Sequence, residues 1–77
     1  MSEIFNQVFT LSSEHIALCD LLKVCGITHS GGAAKHLIAQ GHIEVNGITE
    51  LRKTCKIYAG FKVTGWDFEI NVITASA

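Results

Sequence analysis

Ser30-Gly31-Gly32-Ala33-Ala34-Lys35, followed ten residues later by Val45-Asn46-Gly47, is the run of this chain best suited to chemistry. The chemistry it suits is anion binding. A helix that opens on Ser-Gly-Gly presents its first N–H groups without intrahelical partners, and two of them carry no Cβ to hold an anion at a distance. Lys35, one turn further in, adds a cation. A second cationic group follows, since Leu51 to Trp66 holds Arg52, Lys53, Lys56 and Lys62 and no acid. Glu3, Glu14 and Asp20 gather near the N-terminus, and Asp67 and Glu69 near the C-terminus. A net charge of −1 by itself argues against a nucleic-acid partner, but this segregation permits one basic face.

Other constellations are weaker. His15 and Cys19 stand at i, i+4, and Cys25 and His29 repeat the interval, so four ligands for a two-His, two-Cys zinc site exist on paper. Cys25, however, falls on an apolar helical stripe, Gly26 breaks the helix before His29, and the short spacing of paired zinc cysteines is missing. No metal is expected. Cys55, between Lys53 and Lys56, is the thiol whose setting most resembles an activated nucleophile, yet phosphate contacts account for those charges more economically. Gly31-Gly32 lacks the spacing and the Lys-Ser/Thr pair of a Walker loop. We therefore expect no enzyme, no cofactor and no small-molecule substrate.

Elements must position these groups. Gln7 to Leu11 is apolar and β-prone and reads as a first strand. Leu18, Leu21, Leu22 and Cys25 follow i, i+3, i+4, i+7, which predicts a short helix stopped by Gly26. Ser30 caps a second helix with Ala34, Leu37 and Ile38 on its apolar stripe and Gly41 as its C′ glycine. The period then changes to two. Ile43 and Val45 alternate with His42 and Glu44, Asn46-Gly47 is the preferred type I′ pair, and Ile48 resumes the apolar pattern, so a β-hairpin is expected. Phe61 and Val63 read as a strand, Gly65-Trp66-Asp67 as a turn, and Phe68, Ile70 and Val72 as a final strand with one apolar face. The order β, α, α, β, β, β, β predicts an α+β domain, two short helices packed on a small, mostly antiparallel sheet. The basic connection after the hairpin is expected to return beside the start of the second helix.

At 77 residues and 48% hydrophobic content the chain is expected to be a single domain, residues 1–77. No apolar stretch approaches the roughly 20 residues that span a bilayer, and Met-Ser-Glu lacks the basic region of a secretory signal. Three cysteines without a C-x-x-C pair suit reduced thiols. A cytoplasmic protein without membrane contact is expected.

The segment 18–63 resembles the RNA-binding domain typified by small-subunit ribosomal protein S-four, the alpha-L motif. The resemblance rests on a leucine-rich helix ending in Gly, a Ser-initiated second helix with Ala34-Lys35 and Leu37-Ile38, and then Gly41-His42-Ile43-Glu44-Val45-Asn46-Gly47. It is nearest to small stand-alone bacterial members, in which Ser-Gly-Gly-x-Ala-Lys precedes the hairpin and a Glu-x-Arg-Lys-x-x-Lys run follows it, here Glu50, Arg52, Lys53 and Lys56. Where many members of the wider family carry Arg after the capping Ser, this chain has Gly31. The resemblance implies binding of structured RNA, ribosomal or transfer RNA, and association with ribosomal particles. By matched position Ser30, Lys35, Arg52, Lys53 and Lys56 inherit the contacts, and the Gly31 and Gly32 amides join them from the anion-site reading.

Each of these groups also has a plainer reading. Ser30-Gly31-Gly32 could be a helix cap only, and Arg52, Lys53 and Lys56 a solvated loop. Glu50 could orient Arg52 or Lys53. Of the aromatic residues Tyr58, Phe61 and Trp66, only Trp66, at a predicted turn, is a candidate for stacking on bases, and packing in the core or hairpin is the commoner role even there. A protein-interaction adaptor on the same fold, with little RNA affinity, is the alternative function.

Overall fold

A computed structural model describes residues 5–75, so Glu3 lies outside the described residues. The chain runs β1 (Phe5–Leu11), β2 (Ile16–Ala17), α1 (Leu18–Val24), α2 (Gly31–Ala39), β3 (Glu44–Val45), β4 (Ile48–Thr49), β5 (Lys56–Ile57), β6 (Lys62–Thr64) and β7 (Phe68–Thr74). Five strands form one sheet in the order β1-β7-β6-β3-β4, and β2 with β5 forms a second, two-stranded sheet. Every pairing is antiparallel except β1 with β7. The α+β class and the mostly antiparallel sheet agree with the sequence reading.

Alternation decides which face is covered. Phe68, Ile70 and Val72 of β7 are buried, whereas Glu69 and Asn71 between them are only half-buried. The inward face packs with Val63 and Val45 against Leu18, Leu21 and Leu22 of α1 and Ala34 and Ile38 of α2, all in one cluster. Each Leu or Ile taken fully out of water there contributes roughly 1.5–3 kcal/mol. The opposite face of the sheet carries Glu44, Lys62, Thr64 and Glu69 and stays at least partly solvated.

Turn chemistry fixes the connections. Gly41 follows the Gln40 C-cap of α2 at φ +79°, a left-handed conformation in which a side chain is strained, and its N–H donates to the Ile38 carbonyl at 3.0 Å. Asn46 at φ +54° and Gly47 at φ +85° make the β3–β4 turn with both central residues left-handed, as a type I′ hairpin requires. The Asn46 side chain accepts from the Lys62 N–H at 2.9 Å and so pins that turn to β6.

Three features depart from the sequence reading. The two-residue strands β2 and β5 carry no signal in it, and Phe61 lies half-buried just outside β6. Trp66, expected to pack into the core or hairpin, is 80% exposed, and its ring crosses that of His42 at 61° with centroids 4.4 Å apart.

Candidate nucleic-acid interface

Helix α2 opens as the sequence predicts. Ser30 is its N-cap in extended conformation, and its Oγ accepts from the Ala33 N–H at 3.1 Å. Among the described residues nothing accepts from the Gly31 and Gly32 amides, and no acid stands in the first turn. A Cβ at Gly31 would meet nothing within 4 Å, which leaves the approach open. Gly31 and Lys35 share one side of the helix by their i, i+4 spacing, and Lys35 is exposed. Unpaired amides, a helix dipole and a cation together favour a negative group at this end.

Helix α1 shows the contrast. Its N-cap, Ala17, has no side chain able to cap, and the orphan amides are taken by the basic loop: the Leu18 N–H donates to the Cys55 carbonyl at 2.9 Å, and the Cys19 N–H donates to the Lys53 carbonyl at 3.1 Å. Asp20 occupies the first turn. The start of α1 is thus closed to anions, and its caps fix the loop that carries the cations.

That docking corrects one expectation. The basic run does not return to the Ser30 cap. It lies against the start of α1 and the far end of α2, where a Cβ at Gly41 would come within 3.8 Å of the Leu51 side chain. At about 1.5 Å of rise per residue, the nine residues of α2 span about 13 Å. Ser30, Gly31 and Gly32 thus stand at the opposite end of α2 from Leu51, with the exposed Lys35 one turn into the helix, and Arg52, Lys53 and Lys56, all exposed, belong to the loop.

Glu50 holds Arg52, in keeping with the plainer reading of that residue. Its Oε2 accepts from the Arg52 Nε at 2.9 Å and its Oε1 from an Arg52 terminal nitrogen at 3.1 Å, while the Arg52 backbone N–H also donates to Oε2 at 3.0 Å. The guanidinium remains exposed, with 77% of its side chain open to solvent. Hydrogen bonds from the Arg52 side chain, then from its backbone N–H, lower the Glu50 pKa from the ordinary 4.5 to about 2. Because the folded state binds this proton less readily than the unfolded chain, the pair's stabilisation is fully present above pH 4.5 and fades as the pH falls towards 2. Glu50→Gln is expected to remove this part of the acid dependence of the thermal midpoint, read by circular dichroism between those limits. Identical acid profiles for the two proteins would show that the pair adds nothing to stability.

The remaining candidates separate cleanly. The Cys55 thiol is half-buried, and desolvation first, then a hydrogen bond involving Glu50, raises its pKa, the opposite of what a nucleophilic thiolate needs. Cys19 and Cys25 are buried in the core cluster while His29 is exposed, and no three metal-binding side chains gather among the described residues. Lys23 is exposed in the last turn of α1. No helix is long and apolar enough to cross a membrane.

One feature escaped the sequence reading. A groove of about 790 Å³ runs beside the basic loop, with Val45, Ile48, Tyr58 and Phe61 among its apolar walls and Arg52 and Lys56 on its rim. The clue in the sequence is Ile48, which keeps the apolar alternation at an edge strand and is left 74% exposed.

Known proteins resemble this chain in sequence and fold. The pattern of the S4 domain family matches residues 9–73. YbcJ of Escherichia coli (strain K12) is 46% identical over 59 residues, which cover 77% of this chain and 84% of YbcJ; an uncharacterized protein, YbcJ of Shigella flexneri, matches to the same extent. The solution structure of YbcJ from E. coli, reported to reveal an αL motif involved in RNA-binding, superposes with a TM-score of 0.68 at 43% identity and covers 86% of this chain and 85% of that one.

Proposed function

We propose that this chain, which belongs to the S4 domain family, is a non-catalytic RNA-binding module that recognises structured RNA by its backbone. The open start of α2 is the observation that carries the reading: free Gly31 and Gly32 amides beside Lys35, set against the closed start of α1. The loop cluster of Arg52, Lys53 and Lys56 supplies a second anchor, carried by the loop that caps α1. Folded RNA presents phosphates and 2′-hydroxyls at fixed spacings, and two anchors joined by a rigid helix suit such spacings without reading base edges. Ribosomal or transfer RNA, met in the cytoplasm and on ribosomal particles, is the partner class we assign. The likeness to YbcJ, whose αL motif is described as involved in RNA-binding, supports the RNA part of this reading.

Lys35→Ala is expected to weaken binding of a structured RNA by on the order of 1 kcal/mol or more, because a charge-assisted hydrogen bond to phosphate disappears. Stability should hardly change, since Ala is the better helix former. Lys23→Ala is the control and should do much less. A nuclear magnetic resonance titration that moved the Lys23 surface and left Ser30 to Lys35 unmoved would overturn the assignment. Crosslinking in cells with sequencing of the bound RNA identifies the partner.

A protein-interaction adaptor is the second reading, favoured by Trp66, which is 80% exposed next to Asp67 and lines a hollow with Glu44. Acids beside an exposed indole suit a basic peptide better than a phosphate. An adaptor without RNA affinity would show no salt-dependent association with RNA.

A further inference from the structure

We propose that the groove beside the basic loop receives one unpaired nucleotide of the bound RNA, its base lying on the Tyr58 ring and its phosphate on Arg52 and Lys56. The proposal rests on the RNA-binding reading and extends it from backbone shape to a structural feature of the RNA, a bulged or looped-out residue.

The groove has the size and the walls for this. Its volume, about 790 Å³, falls within the roughly 300–1,000 Å³ of small-ligand sites. Tyr58, 37% exposed, is braced by two rings, His15 at 5.6 Å and Phe61 at 5.8 Å between centroids. A braced ring loses little freedom when a base stacks on it. Ile48, 74% exposed on edge strand β4, offers apolar area that no other part of the described chain covers.

Charge selects the occupant. Arg52 and Lys56 stand on the rim, and the one acid among the lining residues, Glu50, is engaged by Arg52 through two side-chain bonds. Arg52 is thereby held in place with one face still open, and the rim keeps a net positive charge. An apolar peptide side chain would use the floor and leave those cations unanswered; a nucleotide answers both. Duplex RNA offers no free base face, so the groove discriminates in favour of unpaired positions.

The test compares a fluorescein-labelled RNA hairpin with a fully paired stem and the same hairpin with one bulged adenine. The full chain is expected to bind the bulged RNA about ten-fold more tightly, in line with the weakening that follows removal of a stacking ring. Tyr58→Ala and Ile48→Ser should each erase that preference and leave the affinity for the paired stem unchanged. Ile48→Ser alters an exposed side chain without adding charge beside Arg52 and Lys56, so it tests the groove even if Tyr58→Ala fails to fold. With 2-aminopurine at the bulge, fluorescence should be quenched by the parent protein and not by either variant. Equal affinity of the parent for both hairpins, or a preference that survives both variants, would overturn the proposal while leaving the RNA-binding reading intact. Failure of the folded chain to bind either hairpin would overturn both. A self-association seen by sedimentation and abolished in Ile48→Ser, or protein rather than RNA adducts from a photoreactive residue placed at position 48 in cells, would assign the groove to a protein and overturn it as well.

Discussion

Replacing Arg52 and Lys53 together by Ala is expected to weaken binding of structured RNA by roughly 2 kcal/mol or more, on the order of thirty-fold, since two charge-assisted hydrogen bonds to phosphate disappear. The salt dependence should flatten by about one unit for each phosphate no longer neutralised. The fold should survive, because the loop is held to α1 through the carbonyls of Lys53 and Cys55, which the substitutions keep. The two single variants should differ. Lys53→Ala removes one charge, whereas Arg52→Ala also frees the Glu50 carboxylate that now accepts two side-chain bonds from the guanidinium. An uncompensated carboxylate beside the phosphate path repels it, so Arg52→Ala is the more damaging. Adding Glu50→Gln to Arg52→Ala should then recover part of the affinity, a coupling that a double-mutant cycle measures directly. An unchanged salt slope in the double variant, with intact circular dichroism, would remove this loop from the interface.

The local features of this site are legible in the sequence because each depends on a few neighbouring residues. Ser30 at the head of α2, Gly41 at its tail and Asn46-Gly47 at the hairpin all announce backbone geometries that few other residues adopt, and the structure places each as read. The alternation Phe68, Ile70, Val72 likewise marks the buried face of β7. What stays hidden is non-local and made by the backbone. Ile16 pairs with Ile57, far away along the chain, in strands of two residues each, too short to show a period. The same juxtaposition lets the Leu18 and Cys19 amides donate to loop carbonyls, and main-chain groups leave no trace in residue identity. The direction of the basic loop follows from those bonds, which is why residue types alone point it towards the wrong end of α2. Trp66 departs from expectation for a different reason: its apolar ring suggests burial, but the short turn between β6 and β7 projects it from the sheet.

That same turn sets the largest expected drop in stability. Gly65 closes the β6–β7 connection by donating its N–H to the Phe68 carbonyl at 3.1 Å. A Cβ there would overlap the Phe68 ring, with Cζ at 2.8 Å and Cδ2 at 2.9 Å, separations that no relaxed carbon contact tolerates. Phe68 is only 4% exposed and belongs to the core cluster, so the ring cannot swing out into water without giving up its burial. Either the ring leaves its rotamer or the turn shifts and strains the pairing of Thr64 with Glu69. Overpacking of this kind costs about 1–3 kcal/mol. In a chain this small that is a large share of total stability, and Gly65→Ala should lower the thermal midpoint by roughly 5–20 °C. Gly31→Ala is the matched control: its Cβ would meet nothing within 4 Å at the first position of α2, and the substitution should be neutral or stabilising. Phe68→Leu introduced with Gly65→Ala should cost less than the sum of the two single changes, because the smaller side chain vacates the space the new methyl group needs. Strict additivity in that pair would mean that the ring is not what Gly65 accommodates.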